Sequence, residues 1–522
     1  MTSESLLRPE APLLDPGRNC WRVETAHRAA CIVDGEAYFS LAKQALLRAR
    51  HSVLLLAWDF AERARLEPGE ADPAEPDRIG DLLRALADRP DGPEIRVLVW
   101  SKAALLGLRR WRLPGAQARH LDGGRLRYVL DDRHPALACH HQKVLVVDDA
   151  VAFCGGFDFA ANRWDTRAHL SDDPRRHRPS GSPYEPHHDL MMAVDGPAAR
   201  ALGELARDRL QRATGERLEP APPGGDPWPE ALRPDFKDVP VGIARTVPAW
   251  RDQTEVREVE RLYADAIAAA RETIYIENQY FASPVIAEML ARRLAEPHGP
   301  EIVIVNPKMA PSAAERVAMD SARSDNAGRL RAADRFNRFR LYAALTRGDA
   351  EVIVHSKVMV VDDRLLRIGS ANLNNRSMGV DTECDLAIEA VPGTAEEAVV
   401  RQAIRRVRDA LIAEQVGASA ERLSRVIAEQ KSMILAIERL NGSSSRRLME
   451  FPPPRPDGAP NWPHQVLTDP LRPPLRPARE WLGFSPSALR PVGAVALGAA
   501  LIGLAAAWWL DRRRHQRPFG RR

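Results

Sequence analysis

One spacing of histidine, lysine and aspartate, H-x-K-x4-D, occurs twice in the chain, in the segments HHQKVLVVDD and VHSKVMVVDD. The two copies consist of His141, Lys143 and Asp148 and of His355, Lys357 and Asp362. In a β-strand residues i and i+2 point to the same face, so the histidine and lysine of each copy can reach one phosphate group. Cleavage of a phosphodiester needs a nucleophile, a general acid and positive charge on the non-bridging oxygens. Two histidines and two lysines supply all three, so the pair of motifs predicts phosphodiester chemistry at one site.

The two motifs lie at matching points of an internal repeat, and this is a stronger signal than either motif alone. In each half a helix-spaced segment runs into a short apolar strand, first at residues 52–60 and again in ETIYIENQYF, which ends at Phe281. The β-branched runs EIRVLVW and EIVIVNP then begin at Glu94 and Glu301. The four residues between lysine and aspartate are apolar in both motifs, as in a strand buried on both faces.

Strands that alternate with helices in each half predict parallel-rich sheets covered by helices. The predicted fold class is α/β, a duplicated fold whose two α/β sandwich halves pack face to face. We expect the first half at 17–215, a Pro/Gly-rich linker at 216–240, and the second half with its C-terminal helices at 241–442. A polar insertion at 168–187 occurs in the first half only and is predicted to be a surface loop near the site.

Three segments follow the second half: a Pro-rich linker at 443–490, an uncharged apolar run at 491–510 and a basic tail at 511–522. Twenty such residues are enough to cross a hydrocarbon layer of about 30 Å, so we predict a C-terminal transmembrane helix. The amino terminus shows no export signal. We therefore expect a membrane protein whose catalytic domain faces the cytoplasm, with a secreted or surface-exposed protein as the alternative.

Composition limits the classes of partner. The 522 residues include 75 Lys and Arg against 71 Asp and Glu, a net charge of +4, which argues against a protein that coats nucleic acid along its length. The five cysteines are widely spaced and form no C-x-x-C pair. We interpret them as reduced thiols rather than as a zinc site or a disulfide framework.

The two motifs, with GGFD, GSAN, NRWDT and IENQYF around them, resemble the phospholipase D superfamily, above all its eukaryotic-type phospholipases and bacterial phospholipase D and cardiolipin synthase relatives. The similarity covers residues 17–392. The resemblance implies that one motif histidine attacks phosphorus to form a phosphohistidine, while the other protonates the leaving alcohol and then activates water or a second alcohol. It implies no metal and no other cofactor. It favours His141 as the nucleophile, although the symmetry of the motifs leaves the assignment open.

The same resemblance suggests further site residues. Asn372 and Ser370 are expected to bind phosphate oxygens together with the two motif lysines. Asp158, the first-half counterpart of Asn372, is the third candidate phosphate ligand, although it replaces the amide by a carboxylate. Glycine, Gly156, stands where the second half has Ser370. The motif aspartates are expected to give structural support more than proton transfer.

Each catalytic histidine needs a carboxylate on its other ring nitrogen to fix the tautomer. Glu383 is the candidate for the second half. For the first half we favour Asp165 in NRWDT, with Asp189 as the alternative, because the insertion shifts the alignment there.

Three other histidines stand beside motif residues and could suggest a metal site with His141. They are His140, His187 and His188. Histidines next to a catalytic motif more often shape the pocket, so no metal ligand is predicted.

Four functions remain open. The leading prediction is hydrolysis of membrane glycerophospholipids to phosphatidic acid and a free head group. A phosphatidyltransferase of the cardiolipin synthase type differs only in using an alcohol instead of water as the acceptor. A nuclease and a non-catalytic membrane scaffold are the remaining alternatives. The expected partners are a phospholipid, a water or alcohol acceptor and the membrane, whereas nucleic acid is not expected.

Overall fold

The two halves of the chain repeat the same run of strands and helices in the computed structural model, which describes residues 11–69, 75–101, 121–135, 138–310, 316–442 and 446–452. The first half contains β1 (Arg22–Val33), α1 (Gly35–Leu47), β2 (Ser52–Ala57), α2 (Ile79–Ala87), β3 (Glu94–Trp100), β4 (Leu126–Asp131), β5 (Val144–Val147), β6 (Val151–Gly155), β7 (His187–His188), β8 (Leu190–Asp195) and α3 (Gly196–Thr214).

Unlike the first half, which ends with one helix after its last strand, the second half ends with three helices and an edge strand. It contains β9 (Phe236–Val247), β10 (Val256–Arg257), α4 (Glu258–Ala269), β11 (Thr273–Asn278), α5 (Pro284–Ala295), β12 (Glu301–Asn306), a π-helical turn (Arg316–Asp320), α6 (Ser321–Ala333), β13 (Phe339–Thr346), β14 (Ile353–Val354), β15 (Lys357–Val361), β16 (Leu365–Gly369), α7 (Asn375–Gly379), β17 (Glu383–Glu389), α8 (Glu397–Val416), α9 (Ala420–Gln430), α10 (Met433–Leu440) and β18 (Arg446–Glu450).

The strand order is the same in both halves. Strands β2, β3 and β4 are parallel neighbours, as are β11, β12 and β13. The motif strands β5 and β15 lie antiparallel to β2 and β11, and each forms a hairpin with the strand that follows it. This shared order places the two motif strands at corresponding positions.

Strands β1 and β9, of twelve residues each, join the two halves into one sheet. They pair antiparallel with each other, while β1 also pairs with β8 and β9 with β17. The result is a mixed α/β fold with one sixteen-stranded sheet and, among the described residues, ten helices. The expected two separate sheets are therefore continuous, because the long strand that opens each half extends beyond its own sheet.

The sheet folds back on itself, so that β6 packs against β16 and β17 across a shared apolar core. This core includes Cys154 and Met192 from the first half and Ile368 and Leu386 from the second. The Cys154 thiol donates a hydrogen bond to the carbonyl oxygen of Cys384, at 3.4 Å. Separate outer cores lie under α1 and α2 in the first half and under α4, α5 and α6 in the second.

The predicted transmembrane helix requires a correction. No helix in the described ranges is long and apolar enough to cross a membrane. The two longest, α3 and α8, are amphipathic and carry charged residues along their length. The membrane location that depended on that helix is therefore not supported. Residues 491–510, to which the prediction referred, lie outside the described part of the chain.

Strand β18 lies inside the segment predicted as a Pro-rich linker. It pairs antiparallel with β13, with Leu448 opposite Ala344, and Leu448 is buried. Burial alternates along RRLME, with Arg446 and Leu448 buried, although the residue types themselves do not alternate and give no strand signal. The ordered fold thus extends at least to residue 452.

Candidate active site

The histidine and lysine of each motif lie at the start of a buried hairpin. His141 precedes β5 and His355 precedes β15, which begins at Lys357. All four motif side chains are buried, with 9% of His141 and 5% of His355 exposed. The apolar run after each lysine fills the strand that holds the pair, so the local sequence itself sets the positions of histidine and lysine.

The motif aspartates close the turns at the other ends of these strands. Asp148 and Asp362 have positive φ angles of 54° and 52°, a conformation that aspartate tolerates better than most residues. The Asp148 carboxylate accepts hydrogen bonds from the backbone N–H groups of residues 50, 51 and 52, and Asp362 accepts from those of residues 271, 272 and 273. Both side chains therefore fix the entry to the neighbouring strand, β2 or β11.

Each motif histidine contacts a carboxylate from the opposite half. Nδ1 of His141 lies 3.0 Å from Oε2 of Glu383, and Nδ1 of His355 lies 2.6 Å from Oδ2 of Asp189. Backbone hydrogen bonds repeat this exchange. The N–H of His141 donates to the carbonyl of Thr382 at 3.0 Å, and the N–H of His355 donates to the carbonyl of His188 at 2.7 Å.

These contacts correct the expected pairing of carboxylates and histidines. Glu383 is beside the first-half histidine and not the second-half one. Asp165 contacts the side chains of His169, at 2.8 Å, and Arg176, at 3.0 Å, whereas Asp189 takes the position beside His355. The motifs are 214 positions apart and the two carboxylates 194, a difference of 20 that equals the length of the insertion at 168–187. Asp189 and Glu383 are therefore equivalent residues of the repeat.

The two lysine heads lie next to their own histidines. Nζ of Lys143 is 2.8 Å from the carbonyl oxygen of His141 and 5.9 Å from the ring centre of Trp58. Nζ of Lys357 is 3.0 Å from Nδ1 of His355 and donates to the Gln279 side-chain oxygen at 3.3 Å. Trp58 and Gln279 occupy the same place after β2 and β11, so the repeat also determines what surrounds each lysine.

The three predicted phosphate ligands differ in what they contact. The Ser370 hydroxyl donates to Oε2 of Glu383 at 2.5 Å and accepts from the N–H of Cys384 at 3.0 Å, so it positions Glu383. Asn372 is buried, and its Oδ1 has no hydrogen-bond partner among the described residues. Asp158 accepts from the N–H of Trp58, and its second oxygen lies 3.4 Å from Nζ of Lys143.

Burial and positive charge keep both histidines neutral in the free site. The pKa of His141 lies well below its usual range because the ring is buried and because the charges of Lys143 and Lys357 act on it. The pKa of His355 is lowered in the same way by burial, Lys357 and Arg163. Since lysines of both motifs act on His141, the two motifs form a single electrostatic unit.

Burial raises the pKa of Glu383 to about 8. This shift and the lowered pKa of His141 both disfavour a buried ion pair of carboxylate and imidazolium. Below pH about 8 both groups are therefore uncharged, and one hydrogen bond joins Oε2 of Glu383 to Nδ1 of His141. In the tautomer whose proton is on Nδ1, Nδ1 donates this bond and the lone pair on Nε2 is free to attack an electrophile.

The pKa of Lys357 is lowered to about 7 by burial and by the charges of Lys143 and Arg163. Arg163, in the NRWDT segment, was not singled out in the sequence. Its Nη1 donates to Asn162 at 2.9 Å, and its charge also lowers the pKa of His355. The sequence signal for Arg163 was its place in NRWDT, a segment that resembles the family, where it adds a third cation to the two motif lysines.

The histidines beside the motifs line the site or support it. The ring centre of His187 is 5.3 Å from that of His355, and its Nε2 is buried without a hydrogen-bond partner in the described ranges. The ring of His140, which precedes β5, is 4.9 Å from that of His134, and the His140 side chain contacts Arg209. His188 faces away from the motif histidines and contacts Asp34 and Glu277.

Comparison with known proteins gives consistent matches. A family model described as "Cardiolipin synthase, PLD-like domain" matches residues 263–404. Phospholipase D A of Dictyostelium discoideum is 25% identical over 424 residues, which cover 68% of this chain and 32% of that protein. Phospholipase D beta 2 of Arabidopsis thaliana is 28% identical over 318 residues, covering 45% of this chain and 34% of the relative.

A rice relative and one solved structure extend these matches. Phospholipase D alpha 2 of Oryza sativa subsp. japonica is 24% identical over 487 residues, covering 66% of this chain and 59% of the relative. The chain thus spans between 32% and 59% of the length of these three proteins. The crystal structure of phosphatidylserine synthase from Haemophilus influenzae Rd KW20 aligns with a TM-score of 0.45 and 15% identity, over 80% of this chain and 97% of that one.

Proposed function

Because the chain belongs to the phospholipase D superfamily, we propose that it is a phospholipase D that hydrolyses the distal phosphodiester of glycerophospholipids to phosphatidic acid and a free head group. The observation that carries the proposal is the crossed arrangement in which Glu383 holds His141 and Asp189 holds His355. Each ring then presents its Nε2 to a substrate, and the two lysines lie beside them.

The first step forms a phosphohistidine. Nε2 of His141 attacks phosphorus, a P–N bond forms, and the bond from phosphorus to the head-group oxygen breaks. His355 gives its Nε2 proton to that oxygen, so the head group leaves as a neutral alcohol. An imidazolium at His355 is favoured once the phosphate anion offsets the lysine charges, and the Asp189 carboxylate stabilises it.

The second step uses the same groups in reverse. The neutral His355 removes a proton from water, whose oxygen attacks phosphorus while the P–N bond to His141 breaks. Phosphatidic acid forms and both rings return to their starting states. Lys143, Lys357 and the Asn372 amide stabilise charge on the non-bridging oxygens in both steps.

Transfer to an alcohol is the second candidate, because the family model that matches residues 263–404 is described as a cardiolipin synthase domain. The intermediate and its ligands are the same. Only the acceptor changes, so that the hydroxyl of an alcohol or of a second lipid replaces water. The products of the reaction, rather than the site, separate the two activities.

The test incubates the purified full chain with mixed phospholipid vesicles, with and without glycerol or phosphatidylglycerol, and identifies products by mass spectrometry. Phosphatidic acid with free head group supports hydrolysis, and a new phosphatidyl ester that grows with added alcohol supports transfer. His141→Ala is the negative control, and bis(p-nitrophenyl) phosphate reports phosphodiesterase chemistry without a lipid. Cleavage of DNA or RNA with no lipid product would contradict the proposal.

A further inference from the structure

A second group of ionisable side chains lies between the halves, beside the junction of β7 and β8 that carries Asp189. It consists of Asp34 before α1, His169 in the first-half insertion, His188 in β7 and Glu414 in α8. One donor atom from each residue lies within 4.8 Å of every other. The two histidines are at most 1% exposed, and Asp34 is 1% exposed. The Glu414 side chain is 8% exposed, so the group is a largely buried cluster, and the reaction described above does not use it.

The distances within the cluster fit a four-coordinate metal. Nε2 of His169 is 3.1 Å from Oδ2 of Asp34 and 3.3 Å from Oε1 of Glu414. Nδ1 of His188 is 3.5 Å from the same Glu414 oxygen and 2.9 Å from Oδ1 of Asp34. Tetrahedral zinc with bonds of about 2.0–2.2 Å separates its ligand atoms by about 3.3–3.5 Å. Small adjustments therefore suffice for an ion to contact all four residues.

The outer nitrogen of each histidine is already held by another carboxylate. Nδ1 of His169 lies 2.8 Å from Oδ2 of Asp165, and Nε2 of His188 lies 2.9 Å from Oε2 of Glu277. Histidines that bind metals usually have such a carboxylate behind the ring, because it fixes the tautomer and raises the basicity of the inner nitrogen. Here the inner nitrogen of each ring faces the same centre.

An orphaned oxygen points to a missing cation. Oδ2 of Asp34 is buried, and the nitrogen beside it, Nε2 of His169 at 3.1 Å, also faces Oε1 of Glu414 at 3.3 Å, so that one N–H cannot fully satisfy both carboxylates. Buried carboxylate oxygens without a partner are rare, because the loss of water is not compensated. A metal ion at the centre of the cluster would supply the partner.

We propose that Asp34, His169, His188 and Glu414 bind one divalent transition-metal ion, with zinc as the best match to two imidazoles and two carboxylates. Four protein ligands leave no open position, so the ion is structural and not catalytic. Three ligands come from the first half and Glu414 comes from the second, so the ion joins the halves. It also fixes the strand in which His188 accepts the N–H of His355.

The proposal is tested on the full chain by measuring its metal content after purification without added metal and after dialysis. We expect close to one zinc per chain, and the loss of most of it in His169→Ala and in the isosteric Glu414→Gln. Asp165→Asn, behind the ligand His169, should weaken zinc affinity roughly 10- to 100-fold. His177→Gln, an exposed histidine in the same insertion, is the matched control and should keep its zinc.

A second measurement does not depend on variants that fold poorly. Protein stripped of metal by a chelator should unfold at a lower temperature. Added zinc, but not magnesium, should restore the midpoint of thermal unfolding. Co²⁺ in place of zinc should give the visible absorption of a tetrahedral site. The alternative is a metal-free cluster in which both histidines are protonated, because two protons carry the same charge as one divalent ion. Metal-free protein with an unchanged midpoint and no response to zinc would show this alternative and overturn the proposal.

Discussion

Oε2 of Glu383 lies 3.0 Å from Nδ1 of His141, although 242 positions of the chain separate the two residues. Asp189 and His355 repeat the contact in the opposite sense, at 2.6 Å. In each half, the carboxylate that fixes the tautomer of the motif histidine comes from the other half. The candidate site therefore has both of its histidine–carboxylate pairs only when the halves pack together.

Glu383→Gln and Asp189→Asn should each lower kcat roughly 10²- to 10⁴-fold, because an amide no longer fixes the tautomer or stabilises the imidazolium. The lysines are unchanged, so KM should move much less. The measurement is steady-state hydrolysis of a soluble phosphodiester and of phospholipid. Glu288→Gln, at a partly exposed carboxylate paired with Arg292 and Arg329, is the isosteric control. Near wild-type kcat in both site variants would contradict the assigned role.

Lys357 should give the alkaline side of the pH profile. Its pKa is lowered to about 7, so the free site loses one positive charge as the pH rises above 7. Asp189 and Glu383 favour the charged form, but burial, Lys143 and Arg163 outweigh them. We therefore expect kcat/KM to fall above pH about 7, since this ratio reports ionisations of the free enzyme.

The matched variant for this prediction is Lys357→Arg, because arginine keeps its charge throughout the measurable range. Whatever the absolute kcat/KM of this variant, its decline above pH 7 should disappear. The same decline in both proteins would assign the ionisation to another group.

The sequence predicted the local parts of the site and missed the parts that depend on packing. His141, Lys143 and the carboxylate of Asp148 lie within one strand and its turn, so the spacing along the chain determines their positions. The partner of His141 depends instead on how two sheets face each other, and a repeat cannot reveal an exchange between its own halves. The twenty-residue insertion further hid the equivalence of Asp189 and Glu383.

Asp148→Asn and Asp362→Asn should lower the free energy of unfolding by roughly 1–3 kcal/mol each, because each carboxylate accepts from three backbone N–H groups. Urea denaturation measures the change. The folded fraction should keep a kcat close to the wild-type value. Asp349→Asn is the control, since Asp349 also has a positive φ but its exposed carboxylate pairs with Arg447. Loss of kcat without loss of stability would indicate a role in proton transfer.

Arg163→Gln should both weaken phosphate binding and change the pH profile. Removal of the guanidinium charge takes away one of the causes that lower the pKa of Lys357, so the alkaline decline should move to higher pH. Below the decline, kcat/KM should fall because the site has lost a cation. Arg178→Gln, whose guanidinium lies over the ring of Tyr184, is the matched control. An unchanged profile would place Arg163 outside the electrostatic unit.

His141→Ala and His355→Ala should each abolish turnover, and the double variant should be scarcely worse than either single one. If one ring is the nucleophile and the other the general acid, every step needs both, and residues that act as a unit show strongly non-additive effects. The charges of both motif lysines on His141 support such a unit. Circular dichroism and thermal midpoints check that the variants are folded, and His177→Gln controls for removal of a histidine elsewhere.

A phosphoryl adduct trapped and mapped to His355 would reverse the roles and leave the single site intact. Half of the activity in each single variant and none in the double would show two independent sites, and the single-site mechanism would be wrong.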